Sequence, residues 1–174
     1  MSNRLINQET GKLVGWQPNS ELAFGEPGKK GDQGEIIVQE YFQSIDYSCK
    51  IHKDQAKQVV GVDVEFKNPD WHNSYTGDVK ANMDNYGGFF VYDDWLNGAN
   101  KTSDRIIHVN VDTKWICFYG REEMQFFWNM MKEEGPHLFK KDKKTGVEFL
   151  YLPKKALDYN KQHFPTLSRV IKNV

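Results

Sequence analysis

The chain has 174 residues, with 39% hydrophobic and 14% aromatic side chains, which excludes wholesale disorder and suits one well-cored domain rather than two. Its 24 acidic and 23 basic residues leave a net charge of −1, so no overall basic balance advertises nucleic acid. Without a membrane-length apolar run or a signal-peptide core, and with only Cys49 and Cys117 as thiols, it reads as a soluble cytoplasmic protein with two buried free cysteines.

Residues 1–30 interleave glycines and prolines with apolar positions and predict an irregular arm, with Trp16 and Phe24 as its anchors. Asp32 to about Ile45 predicts a helix: Ile37, Val38, Tyr41, Phe42 and Ile45 recur at spacings of three and four. Asp32 can cap that helix, and Glu35 three residues on completes a capping box. Tyr47–His52 reads as a first strand. Gly61–Phe66 and Tyr75–Asn82 read as two more, joined through the turn-rich Lys67–Ser74 as a hairpin. Residues 83–95 predict an irregular aromatic loop broken by Gly87 and Gly88, either pinned by its own rings or lying against substrate.

Arg105–Val111 and Lys114–Tyr119 predict a strand pair turning at Asp112-Thr113, and Glu122–Lys132 a helix with Met124, Phe127, Trp128 and Met131 at core spacing. Lys140, Lys141, Lys143 and Lys144 form a basic turn before a strand at Val147–Leu152. Pro153 then opens a helix holding Ala156 and Leu157, and the tail reads as helical from Thr166. The order predicts an α/β (α+β) domain over 1–174, a mixed central β-sheet flanked by helices.

Strand alternation places Val62, Val64 and Phe66 on one face of the first hairpin strand and Asp63 and Glu65 on the other. On the second strand Asp78 and Lys80 share a face while Val79 points away. If the polar faces meet, two carboxylates and an ammonium converge on a point able to hold a divalent ion and a water. This pattern resembles the PD-(D/E)XK nuclease superfamily, which has an acid beginning one strand and acid-x-lysine on the next. Asp63, Asp78 and Lys80 match it, and Glu35 stands where the family often adds a glutamate on the preceding helix. Val62 occupies the place of the family's proline. The resemblance covers roughly residues 31–118.

The resemblance implies a restriction-endonuclease-like core and a metal-dependent endonuclease that hydrolyses DNA phosphodiester bonds. It implies Mg²⁺ or Mn²⁺ held by Asp63, Asp78 and the Val79 carbonyl, as suits hard oxygen donors. Lys80 would position the attacking water, with Glu35 as a fourth site residue. It also allows a homodimer, since many members cut both strands as dimers. The residues themselves leave Glu35 open between helix cap and site acid, and Glu65 between solvent-facing residue and second ligand. Lys29, Lys30, Lys140, Lys141, Lys143 and Lys144 are candidate phosphate contacts, and Lys53, Lys57, Lys67 and Lys101 are expected near the same face. The alternative is a non-catalytic nucleic-acid- or protein-binding module that keeps a nuclease-like fold. The five histidines lack zinc spacing, and no phosphate loop or dinucleotide fingerprint occurs.

Overall fold

The computed structural model describes residues 4–6, 13–16 and 26–170. Strands β1 (Arg4–Ile6) and β2 (Leu13–Trp16) pair antiparallel, so the expected irregular arm contains a two-stranded ribbon. The Trp16 side chain and Phe24, expected as anchors, lie outside the described residues. Helix α1 (Glu26–Ser44) follows, and β3 (Ser48–Ile51), α2 (Gln55–Val59), β4 (Val64–Lys67) and β5 (Tyr75–Lys80) come next. Strand β6 (Phe89–Tyr92) runs directly into α3 (Asp93–Leu96), and β7 (Arg105–Val109), β8 (Ile116–Gly120) and α4 (Arg121–Glu134) continue the chain. Last come β9 (Phe139–Lys141), β10 (Glu148–Leu152), α5 (Lys154–Tyr159) and β11 (Ser168–Val170).

A six-stranded sheet in the order β11-β8-β7-β5-β4-β3 forms the centre. It is mixed: β5 and β7 run parallel and every other neighbouring pair runs antiparallel. Parallel neighbours need a long crossover. Here the chain between them builds β6 and α3, and β6 joins β10 and β9 in a second, three-stranded sheet.

Each face of the large sheet has its own core. On one face α1 packs Val38 and Phe42 onto Val64, Phe66, Val79, Ile107, Val109 and Ile116, with the Phe42 and Phe66 rings stacked at 4.2 Å. On the other, Ile106, Cys117 and Tyr119 meet α4, α5 and the small sheet through Phe89, Val91, Phe127, Leu150 and Leu157. Both cysteines are buried, and burial pushes their thiols up to about 12 for Cys49 and about 11 for Cys117. No helix among the described residues is long and apolar enough to cross a membrane.

Three expectations are corrected. Helix α1 begins at Glu26 rather than Asp32, with Pro27 in the first turn, where a missing N–H leaves nothing unpaired. Asp32 is therefore mid-helix, and the capping reading of Glu35 falls. The expected irregular stretch is confined to residues 83–88, where Gly87 takes φ +83° in a tight turn; the aromatic run after it is strand β6, with Phe89 and Val91 fully buried, and α3 follows. Finally, 168–170 pairs as β11 along β8 instead of extending a helix from Thr166.

Candidate active site

The site forms where β4 and β5 part. Their ladder runs to Val64 opposite Gly77, and one residue further Asp63 N–H still donates to the Gly77 carbonyl at 2.9 Å. Beyond that point a side chain replaces the missing strand partner, as Val79 N–H donates to Asp63 Oδ2 at 2.8 Å. The expected hairpin thus opens into a notch with Asp63 on one lip and Asp78 on the other.

Asp78 is 1% exposed. Its Oδ1 lies 2.8 Å from Lys80 Nζ, as their shared strand face requires. Its Oδ2 is buried without a hydrogen-bond partner, and Arg121 Nη2 is 3.7 Å away. Gly61, at φ +74°, lets the chain turn directly against this carboxylate, since a Cβ there would stand 3.2 Å from Asp78 Oδ2. Helix α1 delivers a third carboxylate. Gly34 faces Ala81 and Val79 so closely that its missing Cβ would lie 3.4 Å from the Ala81 Cβ, and the neighbouring Glu35 is buried at the same end of the sheet.

The electrostatics tie these groups together. Asp63 keeps some accessible surface, yet the protein packed around it pushes its carboxyl well above the usual range, and Asp78 and Glu35 add to that push against Lys80. Burial likewise raises Glu35, although its Lys53 partner pulls the other way. Lys101 is half-buried and donates to the Val59 carbonyl at 3.0 Å. Burial first and Lys80 second hold its ammonium below the usual lysine range, opposed by Asp78 and Asp63.

A buried polar chain backs Lys80. The Lys80 ammonium sits 5.2 Å from the Trp95 ring centre, and His108, its register neighbour on β7, stacks on Phe89 at 3.6 Å. Asn82 Nδ2 donates to the Phe90 carbonyl, which turns Asn82 Oδ1 toward His108 Nδ1 at 2.6 Å, so that nitrogen carries the proton. His108 Nε2 then accepts from the Tyr119 hydroxyl at 2.6 Å. Burial holds the imidazole well below the usual histidine range, and it serves this chain as the neutral ring.

Asp63, Asp78, Lys80 and Glu35 are thus brought together, and Lys53 and Lys101 join them. Glu65 is engaged elsewhere, accepting from Ser74 Oγ at 2.6 Å and lying 3.2 Å from His52 Nε2. Lys29 and Lys30 stand exposed on the first turns of α1 rather than before it. Lys140 and Lys141 lie on β9 and Lys143 and Lys144 on the turn after it, all exposed and in the other sheet from the acids.

Arg121, absent from the sequence reading, locks the floor of the site. Its guanidinium bonds the Ser103 carbonyl and hydroxyl and the Trp95 and Leu96 carbonyls, which caps the end of α3 behind Asp78. One signal pointed to it. An arginine at the first position of a helix opposes the macrodipole, so another contact must favour it there.

The donor set is hard: two carboxylates, with the Val79 main chain beside them. Among the described residues no group of three or more His, Cys, Asp or Glu side chains is arranged to hold a metal ion. Two carboxylates plus water and main-chain oxygen is a set that Mg²⁺ accepts.

No protein-family model matches the chain, and no curated protein matches it. Among solved structures it is similar to D212, a nuclease from a fusselovirus, at 12% identity and a TM-score of 0.38 over 75% of this chain and 84% of that one. A likeness at this level carries no argument about activity.

Proposed function

We propose that the protein is a metal-dependent nuclease of PD-(D/E)XK type that hydrolyses DNA phosphodiester bonds at the notch between β4 and β5. The observation that carries this reading is Asp78 Oδ2, a buried carboxylate oxygen whose charged neighbour, Arg121, stands beyond hydrogen-bond reach at 3.7 Å, beside a second acid, Asp63, whose proton affinity burial and then Asp78 raise. Leaving a buried acceptor unsatisfied costs about 1–3 kcal/mol, more when it is charged. A hard cation between the two acids relieves both strains, so the residues fit Mg²⁺ or Mn²⁺.

Asp63 and Asp78 would hold the ion, with Val79 adding its carbonyl. When bound, such an ion supplies Lewis acidity toward a phosphoryl oxygen. The protein's own groups supply the rest. Lys80, held between Asp78 and Trp95, presents an ammonium that orients the attacking water and balances charge on the phosphoryl oxygens. Glu35, raised by burial, is the carboxyl suited to take the water's proton. Lys101 adds positive charge where a phosphate would lie.

The competing reading is a non-catalytic module in which the Lys80–Asp78–Arg121 contacts are structural ion pairs. Incubating supercoiled plasmid, linear duplex and branched DNA with Mg²⁺ or Mn²⁺ separates the two. The nuclease reading expects cleavage by the wild type and a fall of about 10²–10³-fold or more in Asp78→Ala and Lys80→Ala. DNA bound but uncut in either metal would favour the module. Cleavage persisting in both variants would sink the assignment of the site.

A further inference from the structure

The small sheet β6-β10-β9 turns its inner face to the core, and among the described residues its outer face is partly exposed. Alternation along β6 buries Phe89 and Val91 and turns Phe90 and Tyr92 outward, and along β10 it buries Leu150 and Leu152 and turns Phe149 and Tyr151 outward. Antiparallel register sets Phe90 opposite Tyr151, and Tyr92 opposite Phe149. The four rings form one patch: Phe90 lies 5.0 Å from Tyr151 and 5.6 Å from Phe149, and Tyr92 lies 5.3 Å from Phe149. Phe90 is 37% exposed and Tyr151 39%. A contiguous exposed apolar patch of this kind marks an interaction surface more often than singly scattered rings do.

Charge indicates the occupant. Across from Phe149, β9 presents Lys140, and Lys141, Lys143 and Lys144 continue the basic edge. The acids bordering the patch are already engaged. Asp142 accepts from the Lys144 and Thr145 amides, Glu148 pairs with Lys132, and Asp84 accepts from the Tyr151 hydroxyl and the Gly88 amide. Flat π faces beside exposed lysines that outnumber the one adjacent acid, Asp142, match bases and phosphates of a single strand, and a stacked duplex offers no base faces to them.

The patch is also continuous with the candidate active site. Asn82, two residues or about 7 Å past Lys80 along the strand direction, bonds the Phe90 carbonyl at 2.8 Å. Helix α3, which follows β6 without a break, carries the Trp95 that backs Lys80.

We infer that the outer face of the small sheet is a stacking platform for single-stranded DNA, with Phe90, Tyr92, Phe149 and Tyr151 holding bases and the β9 lysines holding phosphates. The inference rests on the nuclease reading for the choice of DNA over RNA and for the direction of the strand, which leads an unpaired tail or flap from the platform toward Lys80. The substrate class that follows is DNA with a single-stranded segment beside the cut.

The test is fluorescence anisotropy in EDTA, where no cleavage intervenes, using labelled oligo-dT, oligo-U and a duplex of equal length. The proteins are the wild type, Phe90→Leu/Tyr151→Leu and Lys140→Ala/Lys143→Ala. Leucine keeps apolar bulk but removes the flat ring, and thermal melting confirms that each variant folds. Binding of oligo-dT at least tenfold tighter than duplex, weakened about tenfold or more by the leucine pair and less steeply salt-dependent in the lysine pair, is the expected result. Unchanged oligo-dT affinity in the leucine pair overturns the platform, as does equal affinity for duplex. Tighter binding of oligo-U overturns the choice of DNA. Loss of self-association in the leucine pair with DNA binding intact would assign the face to a second copy of the chain. Binding is read in EDTA and cleavage separately in Mg²⁺, so a failed nuclease reading and a failed platform remain distinguishable.

Discussion

At the scale of single residues the site is a charge imbalance built into the fold. Asp63 ionises at a cost because burial and Asp78 oppose its charge. Its folded-state value therefore lies above its unfolded one, near 3.9. Between those two values the native state binds more protons than the unfolded chain, so this residue's contribution to stability falls as pH rises. His108 acts in the opposite sense. Held neutral by burial, it loses stability as pH falls through the ordinary histidine range near 6.5, where the unfolded state takes up the proton. Asp63→Asn keeps an acceptor for Val79 N–H and removes the charge. In EDTA it should melt above the wild type at pH 7.5, with the difference shrinking as pH falls toward the unfolded value near 3.9. Thermal melting across pH measures this directly, and an Asp63→Asn protein no more stable at pH 7.5 would contradict the uncompensated charge. The Asp63, Asp78 and Lys80 cluster was legible in the chain because strand alternation alone puts the last two on one face. Arg121 and Trp95 were not, because 43 and 17 residues separate them from Asp78 and nothing local links them.

At the scale of elements, the parting of β4 from β5 makes the notch, and the Gly61 turn closes it. Gly61→Ala combines an unfavourable left-handed backbone with pressure on Asp78, since the new Cβ would lie 3.2 Å from Oδ2. Gly146, at φ +69° with nothing within 4 Å, offers the same backbone strain without the contact. Both alanine variants should lose about 1 kcal/mol of stability in denaturant titration. Only Gly61→Ala should also lose stabilisation by Mn²⁺. Equal Mn²⁺ responses would mean that the turn does not shape the acid pair. The hairpin itself was legible, because an apolar period of two on either side of Asn68-Pro69-Asp70 leaves few alternatives. The start of α1 was misplaced because Gly28 and Gly31 read locally as breaks, whereas packing of the α1 stripe on the sheet outweighs their propensity. Strand β6 was missed for a related reason. Its register partners lie in β10, some sixty residues away, and its own aromatic run shows no turn-bounded alternation.

At the scale of the molecule, the ion proposed for Asp63 and Asp78 would couple the two strand ends to the overall fold. A ligand present at 100 times its Kd stabilises by about 2.7 kcal/mol, and for a chain of this size that is a Tm rise of about 5–10 °C. Calorimetry with millimolar Mn²⁺ should show this shift in the wild type, its reversal by EDTA, and its absence in Asp78→Asn. A similar rise in Asp78→Asn would place the ion elsewhere. Two cores on opposite faces of one sheet make the arrangement stiff: α1 fixes Glu35 from one side while the small sheet and α4 fix Lys80 and Arg121 from the other.

Local patterning along the chain was enough for the strands and helices of strong period, the β4–β5 hairpin, and the shared face of Asp78 and Lys80 with Asp63 on the strand before. These are short-range consequences of backbone geometry, written within a few residues of each other. Tertiary packing made Glu35 a buried neighbour of the two acids rather than a cap, set Asp63 in place of a strand partner for Val79, and left one Asp78 oxygen without a hydrogen bond. It also decided that an aromatic run is a strand with one face partly exposed beside a basic edge. Burial and register depend on what packs from distant parts of the chain, and a local pattern carries no record of its eventual neighbours.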